Sequence, residues 1–316
     1  MKIRIVLADT DEKYINHFIR AFKIYYFNEV DIVTFSDSTA LKKYISSRAY
    51  DILLSIASLL PEEAEGKSMI LTSEMGIKEM NGRPAICKYQ KIENLYKGIL
   101  DTIAEQKSGI TYSYETSKES PVIAFTSAAG GVGKTTAALV YTRQLVKKGF
   151  QVMYLSLESF SNIDYFLNAE GSSNFSNVLF AVKCGKGNLQ MKIESSLKQT
   201  YGGVYFFSKP MNPNEIDELD QSEWKEFLDA VRAMGKFHCI VIDLPCANED
   251  TAKKIMPLSD RVLFITDGSD TTTEKTQTLM TCISKYDEMN GADLSTKVSV
   301  IQNKCEGPRR EIGLPI

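Results

Sequence analysis

A glycine-rich stretch between an apolar run and a helix-forming run has the residue types and spacing for phosphate chemistry. It begins after Val122–Phe125 and leads into a helical pattern at 137–148. Glycines let backbone N–H groups turn toward an anion, and the N-terminus of a helix adds partial positive charge. A lysine can neutralise phosphate oxygens, and a threonine hydroxyl can hold Mg²⁺. The stretch therefore predicts a nucleoside-triphosphate site, whose phosphate loop comprises Gly130, Gly131, Val132, Gly133, Lys134, Thr135 and Thr136.

The loop sequence resembles the phosphate loop of the MinD/ParA family of P-loop ATPases, although Ala128 stands where a general P-loop has glycine. That family has a further lysine at the position of Ala129, which reaches the partner's phosphates in a dimer that sandwiches two nucleotides. An alanine methyl supplies no charge, so the resemblance implies ATP binding in cis through Lys134 with slow or absent hydrolysis. A glycine turn without a ligand is the alternative, and the flanking strand and helix patterns argue against it.

Two carboxylates follow predicted strands downstream of the loop. Asp243 ends the apolar run Phe237–Asp243, where P-loop proteins hold Mg²⁺ through water. Glu158 follows the strand Gln151–Leu157, where the family resemblance implies an acidic residue that positions the attacking water or the metal. We therefore predict a metal site at Thr135 and Asp243, with catalytic roles for Lys134 and Glu158. The alternatives are a strand-end aspartate that caps the next helix and a solvated glutamate that precedes one.

Asn303 lies just past the predicted strand at 297–301. The resemblance implies that an asparagine here reads the adenine edge, because an amide can pair with both the N6 donor and the N7 acceptor. Asparagine is also common in turns, which is the alternative. ATP and Mg²⁺ are the predicted cofactors.

Alternating strand and helix patterns divide the chain into two α/β domains. Residues 1–105 form the first, the polar and aperiodic stretch 106–120 is a linker, and residues 121–316 form the P-loop domain. Both are predicted to be doubly wound, the first receiver-like (flavodoxin-like) and the second MinD/ParA-like with a mainly parallel sheet. The predicted strands are Lys2–Ala8, Val30–Phe35, Tyr50–Ile56, Ser68–Thr72, Ala85–Cys87, Val122–Phe125, Gln151–Leu157, Tyr205–Phe207, Phe237–Leu244, Arg261–Ile265 and Lys297–Ile301.

The overall composition and charge of the chain indicate which partners and which compartment suit it. The chain is 43% hydrophobic and 24% charged, with a net charge of -3, so it has no general electrostatic attraction for nucleic acid or anionic lipid. Six scattered cysteines and two histidines do not form a zinc-site spacing, and the cysteines suit a reducing compartment. With no signal peptide and no apolar run long enough to span a bilayer, we expect a cytoplasmic protein.

Residues 1–105 resemble the receiver domain of two-component response regulators. Asp9 and Asp11 follow the first strand, where receivers keep acidic Mg²⁺ ligands, and Lys88 lies where receivers have Lys-Pro. The third strand ends in Ser55-Ile56, so it lacks the acceptor aspartate that forms an aspartyl phosphate. This pattern predicts a module that takes no phosphate and makes protein contacts, with the two aspartates in a loop and a helix N-cap.

A degenerate receiver followed by a MinD/ParA-type ATPase without the first lysine resembles the TadZ/CpaE family of pilus-assembly proteins. That resemblance implies an ATP-binding homodimer that localises at a cell pole, or at the inner face of the membrane through partners. Its partners would be other assembly proteins of the type IVb (Flp/Tad) pilus secretion machinery. The alternatives are an active partitioning ATPase for DNA or protein cargo and a signalling ATPase controlled by receiver phosphorylation.

Overall fold

The computed structural model describes residues 2–64, 66–106, 120–167, 173–185 and 188–304, which form two compact units. The first contains the N-terminal elements together with a returning segment at Gly185–Ser195. The second contains the other described residues and the phosphate loop. Each is built on its own mostly parallel sheet, which confirms the predicted doubly wound α/β class.

The sheet of the first unit has the order β2-β1-β3-β4-β6-β5. All neighbours pair in parallel except β5, which lies antiparallel at the edge beside β6. The order of the five parallel strands is that of flavodoxin-like receivers. The elements are β1 (Ile3–Ala8), α1 (Glu12–Tyr25), β2 (Val30–Phe35), α2 (Ser38–Ser47), β3 (Ile52–Ser55), β4 (Ser68–Thr72), β5 (Glu79–Met80), β6 (Arg83–Cys87) and α3 (Ile92–Gln106).

Helical spacing explains how this unit closes its core. The carboxylate of Asp11 accepts from the backbone N–H groups of Lys13 and Tyr14, so it is the N-cap of α1 that the sequence predicts. One face of α1 then buries Ile15, Phe18 and Phe22 against the sheet. The spacing of residues 92–104 predicts an amphipathic helix with Ile92, Leu95, Tyr96, Ile99 and Ile103 on one face. On α3 all of these are buried except Ile92, which is partly buried.

The sheet of the second unit has the order β13-β12-β7-β11-β8-β10-β9. Only β9, at one edge, pairs antiparallel. Its strands and the helices that follow Ser120 are β7 (Val122–Thr126), α4 (Lys134–Lys147), β8 (Val152–Ser156), α5 (Ile163–Phe166), α6 (Ser176–Cys184), α7 (Leu189–Ser196), β9 (Lys198–Gln199), β10 (Val204–Phe206), α8 (Gln221–Ala233), β11 (Cys239–Asp243), α9 (Asp250–Ile255), β12 (Arg261–Thr266), α10 (Asp270–Asn290), α11 (Leu294–Lys297) and β13 (Val298–Gln302).

Strand register brings the carboxyl ends of the central strands together. Strand β11 lies between β7 and β8, and Asp243 pairs with Phe125 on one side and Ser156 on the other. Because parallel strands end at the same edge of a sheet, the phosphate loop, Glu158 and Asp243 meet there. The helical spacing of residues 222–234 predicts a core face that includes the lone Trp224. Trp224 lies on the buried face of α8, in the core of this unit.

Most of the returning segment is α7, and it packs with the first unit. Met191 joins the first core, and Asp101 on α3 accepts hydrogen bonds from Lys192 Nζ at 3.0 Å and Ser195 Oγ at 2.7 Å. The sequence places this segment in the C-terminal domain and gives no indication of the contact.

Element boundaries agree well with the periodicity. The predicted strands at 30–35 and 68–72 are confirmed residue for residue, whereas β3 is shorter than the predicted Tyr50–Ile56. The prediction overlooks β5 and β9 and the helices α5–α7 and α9–α11. Most of the predicted linker, residues 107–119, lies outside the described residues. None of the described helices is both long enough and apolar enough for a transmembrane span.

Candidate nucleotide site

The phosphate loop connects the end of β7 to the start of α4. Gly131 and Gly133 have φ angles of 75° and 96°, in the left-handed region that favours glycine. Gly133 is also the residue before the helix, and a Cβ there would lie 2.4 Å from the side-chain nitrogen of Asn303. Because the loop leads into the N-terminus of α4, the helix dipole and the N–H groups of its first turn are directed at the loop.

The segment that follows β11 forms three hydrogen bonds with the end of β7 and the start of the phosphate loop. Leu244 donates its backbone N–H to Phe125 O at 2.9 Å, and Ala247 donates to Ser127 O at 2.9 Å. The buried hydroxyl of Thr126 donates to Pro245 O at 2.7 Å. These three bonds fix the positions of the loop and the end of β11 relative to each other.

Lys134, the first residue of α4, forms an ion pair at the site. Its Nζ lies 2.8 Å from Oε1 of Glu158. Lys134 is 8% exposed and Glu158 is 32% exposed. Burial alone would lower the pKa of Lys134, but the hydrogen bond and charge of Glu158, helped by Asp243, raise it above its ordinary value. The lysine is therefore a fixed positive charge beside the loop.

Asp243 is fully buried at the end of β11. Its Oδ2 accepts a hydrogen bond from the Tyr154 hydroxyl at 3.0 Å, while Oδ1 has no hydrogen-bond partner among the described residues. Burial, followed by the charge of Glu158, raises the pKa of Asp243 to about 6, against the opposing effects of the Thr135 hydroxyl and Lys134. Burial and the Asp243 charge likewise raise the pKa of Tyr154, so its hydroxyl is a donor.

The donor set at this position suits Mg²⁺. A carboxylate oxygen without a partner and the nearby Thr135 hydroxyl are hard oxygen ligands, and Mg²⁺ in nucleotide sites takes one or two such ligands with phosphates and water. Among the described residues no group of three or more His, Cys, Asp or Glu could hold a metal ion by itself. Metal binding here thus requires nucleotide phosphates or water as further ligands.

The structure places Asn303, which the sequence predicts to contact the nucleotide, beside the phosphate loop. Its side-chain Nδ2 donates to Val132 O at 2.9 Å, and its backbone N–H donates to Thr266 O at 2.7 Å. The neighbouring Lys304 has a positive φ of 56° and donates from Nζ to Gly131 O at 2.7 Å. The adenine-reading role stays a prediction, and the observed contact of Asn303 is with the loop backbone.

Sequence reasoning missed two of these residues, Tyr154 and Lys304. Tyr154 falls within the predicted apolar strand Gln151–Leu157, and the signal that could have marked it is that a buried tyrosine needs a partner for its hydroxyl. Lys304 follows Asn303 directly but carries no signal that points to the loop. The remaining predicted residues at 130–136, with Glu158 and Asp243, are brought together at one edge of the sheet.

Asp9, at the position where receivers keep an acidic Mg²⁺ ligand, forms a buried ion pair with Lys88 in the first unit. Lys88 Nζ lies 2.8 Å from Asp9 Oδ2, and Asp9 and Lys88 are 1% and 9% exposed. The same ammonium lies 4.9 Å from the ring centre of Tyr14 and 5.3 Å from that of Tyr89, so two aromatic faces cover it. Beside Asp9, the end of β3 supplies Ser55 and no carboxylate.

The two-unit fold and the phosphate loop define a P-loop protein with a receiver-like module. Residues 120–296 match the AAA domain family, and residues 1–104 match the TadZ-like receiver domain. The chain belongs to this AAA domain family, with a TadZ-like receiver domain at its N-terminus. No curated protein matches the chain by sequence.

The chain is similar in fold to a solved structure with a TM-score of 0.50, and two further structures match with lower scores. A ParA family ATPase from Chlorobium tepidum TLS is 14% identical with a TM-score of 0.50, over 60% of this chain and 76% of its own. A chain of the MinC:MinD cell division protein complex from Aquifex aeolicus is 18% identical, with a TM-score of 0.46, over 57% of this chain and 67% of its own. The septum site-determining protein MinD complexed with Mg-ADP, from Pyrococcus horikoshii OT3, is 18% identical, with a TM-score of 0.45, over 57% of this chain and 68% of its own.

Proposed function

We propose that this protein binds ATP with Mg²⁺ at the phosphate loop and acts as a nucleotide-dependent assembly scaffold. The observation that carries the proposal is the convergence of Lys134, Asp243 and the glycine loop at the carboxyl edge of one parallel sheet. Backbone N–H groups of residues 130–136 would hold the phosphates, and Lys134 would neutralise their charge. Thr135 and Asp243 would hold the Mg²⁺, which would offset the negative charge of the phosphates.

The scaffold is proposed to act with little hydrolysis. Ala129 occupies the loop position where a cationic side chain could reach the phosphates of a second copy, and its methyl packs against the core of the unit. A cation supplied by a partner is worth roughly 10³–10⁵ in rate in other P-loop proteins, so its loss leaves a slow enzyme or a binding protein. ATP would then stabilise a homodimer for long periods.

The TadZ-like receiver domain supports a role in assembling a Tad/Flp (type IVb) pilus secretion system. In this proposal the first unit recruits assembly proteins, because the end of β3 supplies Ser55 in place of the acceptor carboxylate that phosphate signalling requires. The protein would act in the cytoplasm, at a cell pole or at the inner face of the membrane through those partners.

The test is an ATP titration by calorimetry with Mg²⁺ present, on the full chain and on Lys134→Ala. We expect saturable binding for the wild type and none at millimolar ATP for the variant. Lys225→Ala, which removes an exposed lysine that pairs with Asp229 on α8, is the matched control and should bind like the wild type. Equal affinity of the wild type and Lys134→Ala would overturn the proposed site.

Light scattering on the same samples tests the scaffold. A mass that doubles only with ATP and Mg²⁺ supports a nucleotide-dependent dimer. A mass that is the same with and without ATP, while ATP binds, contradicts it.

A further inference from the structure

A buried tyrosine holds the carboxylate at the candidate metal position. Tyr154 is fully buried on β8, inside the core of the second unit, where Val132 and Leu139 also lie. Its hydroxyl is 3.0 Å from Asp243 Oδ2 on the neighbouring strand. A phenylalanine would fill the same core volume, so the hydroxyl is what distinguishes this residue, and the carboxylate is its partner.

The register between β8 and β11 explains how the Tyr154 hydroxyl reaches the Asp243 carboxylate. Tyr154 pairs with Val241, and Asp243 pairs with Ser156, so Tyr154 and Asp243 are diagonal neighbours on one face of the sheet. The tyrosine side chain is long enough to bridge this diagonal, since its hydroxyl lies 3.0 Å from Asp243 Oδ2. A shorter hydroxyl side chain at position 154 would not reach the carboxylate.

The second oxygen of Asp243 is the one left for a ligand. Oδ1 is buried and makes no hydrogen bond of normal geometry with the described residues, although the Thr135 hydroxyl lies near the carboxylate. Lys134, the nearby cation, is paired with Glu158. A buried carboxylate with one satisfied and one unsatisfied oxygen is costly unless something binds the free oxygen. The Tyr154 bond also fixes the rotation of the carboxylate, which determines where Oδ1 lies.

We propose that Tyr154 is a positioning residue for Mg²⁺-dependent nucleotide binding, which it supports by holding Asp243 Oδ2 and presenting Oδ1 to the hydrated metal. The inference rests on the proposed ATP and Mg²⁺ site. Residues behind a metal ligand typically change metal affinity by about 10- to 100-fold when they are lost. Tyr154 touches neither phosphate nor metal in this account, so its effect appears only in the part of the affinity that depends on Mg²⁺.

The experiment measures ATP affinity of Tyr154→Phe by calorimetry, once with EDTA and once across a Mg²⁺ titration. We expect the gain in ATP affinity on adding Mg²⁺ to fall at least about tenfold, with the EDTA affinity within about twofold of the wild type. The matched control is Tyr141→Phe, which removes the hydroxyl of a partly buried tyrosine on α4 whose ring lies 5.6 Å from Phe125. This control variant should show the same increase in ATP affinity on adding Mg²⁺ as the wild type.

The outcomes separate this inference from the proposed function. A wild type that binds no ATP overturns both. If the wild type binds ATP with a Mg²⁺ gain and Tyr154→Phe keeps that gain, the inference alone fails. Equal losses with EDTA and with Mg²⁺ would show a merely structural role and overturn it as well.

A double-mutant cycle with Asp243→Asn provides a second, independent measurement. Tyr154→Phe should have no further effect on the Mg²⁺ gain once Asp243 is replaced, because the hydroxyl then has no ligand to position. Additive losses from the two substitutions would contradict the inference.

Discussion

The Lys134 ammonium lies 2.8 Å from Glu158 Oε1, so the cation proposed to bind phosphate is already paired with a carboxylate. Phosphate binding must either replace this contact or share the lysine between two anions. Because Glu158 is 32% exposed, it can turn toward solvent, whereas Lys134 is 8% exposed and stays at the loop. Glu158 therefore competes with the phosphates for Lys134.

Substitution of Glu158 by glutamine should tighten ATP binding. The change removes the competing charge and a repulsion toward the phosphates while keeping a side chain of the same size. A partly exposed ion pair contributes about 1 kcal/mol or less, so we expect a gain of roughly three- to fivefold in affinity. Calorimetry with ATP and Mg²⁺ measures it.

Glu215→Gln is the control for that measurement. Glu215 belongs to a capping box with Asn212, where glutamine makes the same contacts, and it should leave ATP affinity unchanged. Weaker ATP binding by Glu158→Gln would show that Glu158 helps to hold the nucleotide and does not compete with it.

A lysine at position 129 should raise the rate of hydrolysis. Ala129→Lys restores a cation that can reach the phosphates of a second copy, and the gain should be about tenfold or more, below the roughly 10³–10⁵ of a full cationic finger. Phosphate release per protein should then increase with protein concentration, since the added charge acts only in a dimer. Ala129→Met adds a similar stem without charge, and a matching rate for it would refute the explanation.

The sequence predicts the parts of the site that are local along the chain. The phosphate loop, the carboxylate at the end of β11 and the core face of α8 each follow from a short run of residues. What it could not predict depends on which strands become neighbours. The Tyr154–Asp243 bond needs β8 beside β11, and the Lys304 contact with Gly131 joins residues 173 positions apart. Periodicity carries no information about such pairs.

The raised pKa of Asp243 predicts how stability changes with pH when ATP and Mg²⁺ are absent. Its pKa rises from the ordinary 3.8 to about 6 on folding, because burial and Glu158 outweigh Lys134, Thr135 and Tyr154. Between these pH values the folded state binds more protons than the unfolded one, so the free energy of unfolding falls as pH rises. The loss is complete near pH 7 and is at most about 3 kcal/mol.

Asp243→Asn removes this dependence. The stability of the variant relative to the wild type should therefore rise from pH 4 to pH 6 and be flat above pH 7. Denaturation followed by the fluorescence of Trp224, the single tryptophan, measures it, because Trp224 lies in the unit that contains the site. A relative stability that is constant across this range contradicts a raised pKa.

The first unit should take no phosphate from a small phosphodonor. An aspartyl phosphate requires a free carboxylate nucleophile. Here Asp9 is held by Lys88, and Ser55 ends β3 at the neighbouring position. After treatment with acetyl phosphate and Mg²⁺, the intact mass of the protein should be unchanged, while a phosphorylatable receiver treated in parallel gains phosphate. A phosphorylated aspartate in this unit would restore the signalling hypothesis.

Trp224 should tolerate loss of its indole N–H but not of its bulk. It is fully buried and packs edge-on against Phe227, with ring centres 5.8 Å apart, and its Nε1 has no hydrogen-bond partner among the described residues. Trp224→Phe removes that unsatisfied donor but leaves a small void, so the two effects oppose each other and the net cost should stay below about 1.5 kcal/mol. Trp224→Ala leaves a large cavity and should cost about 3–5 kcal/mol. Denaturation followed by circular dichroism compares the two variants, and similar losses for both would mean that the indole N–H has a partner.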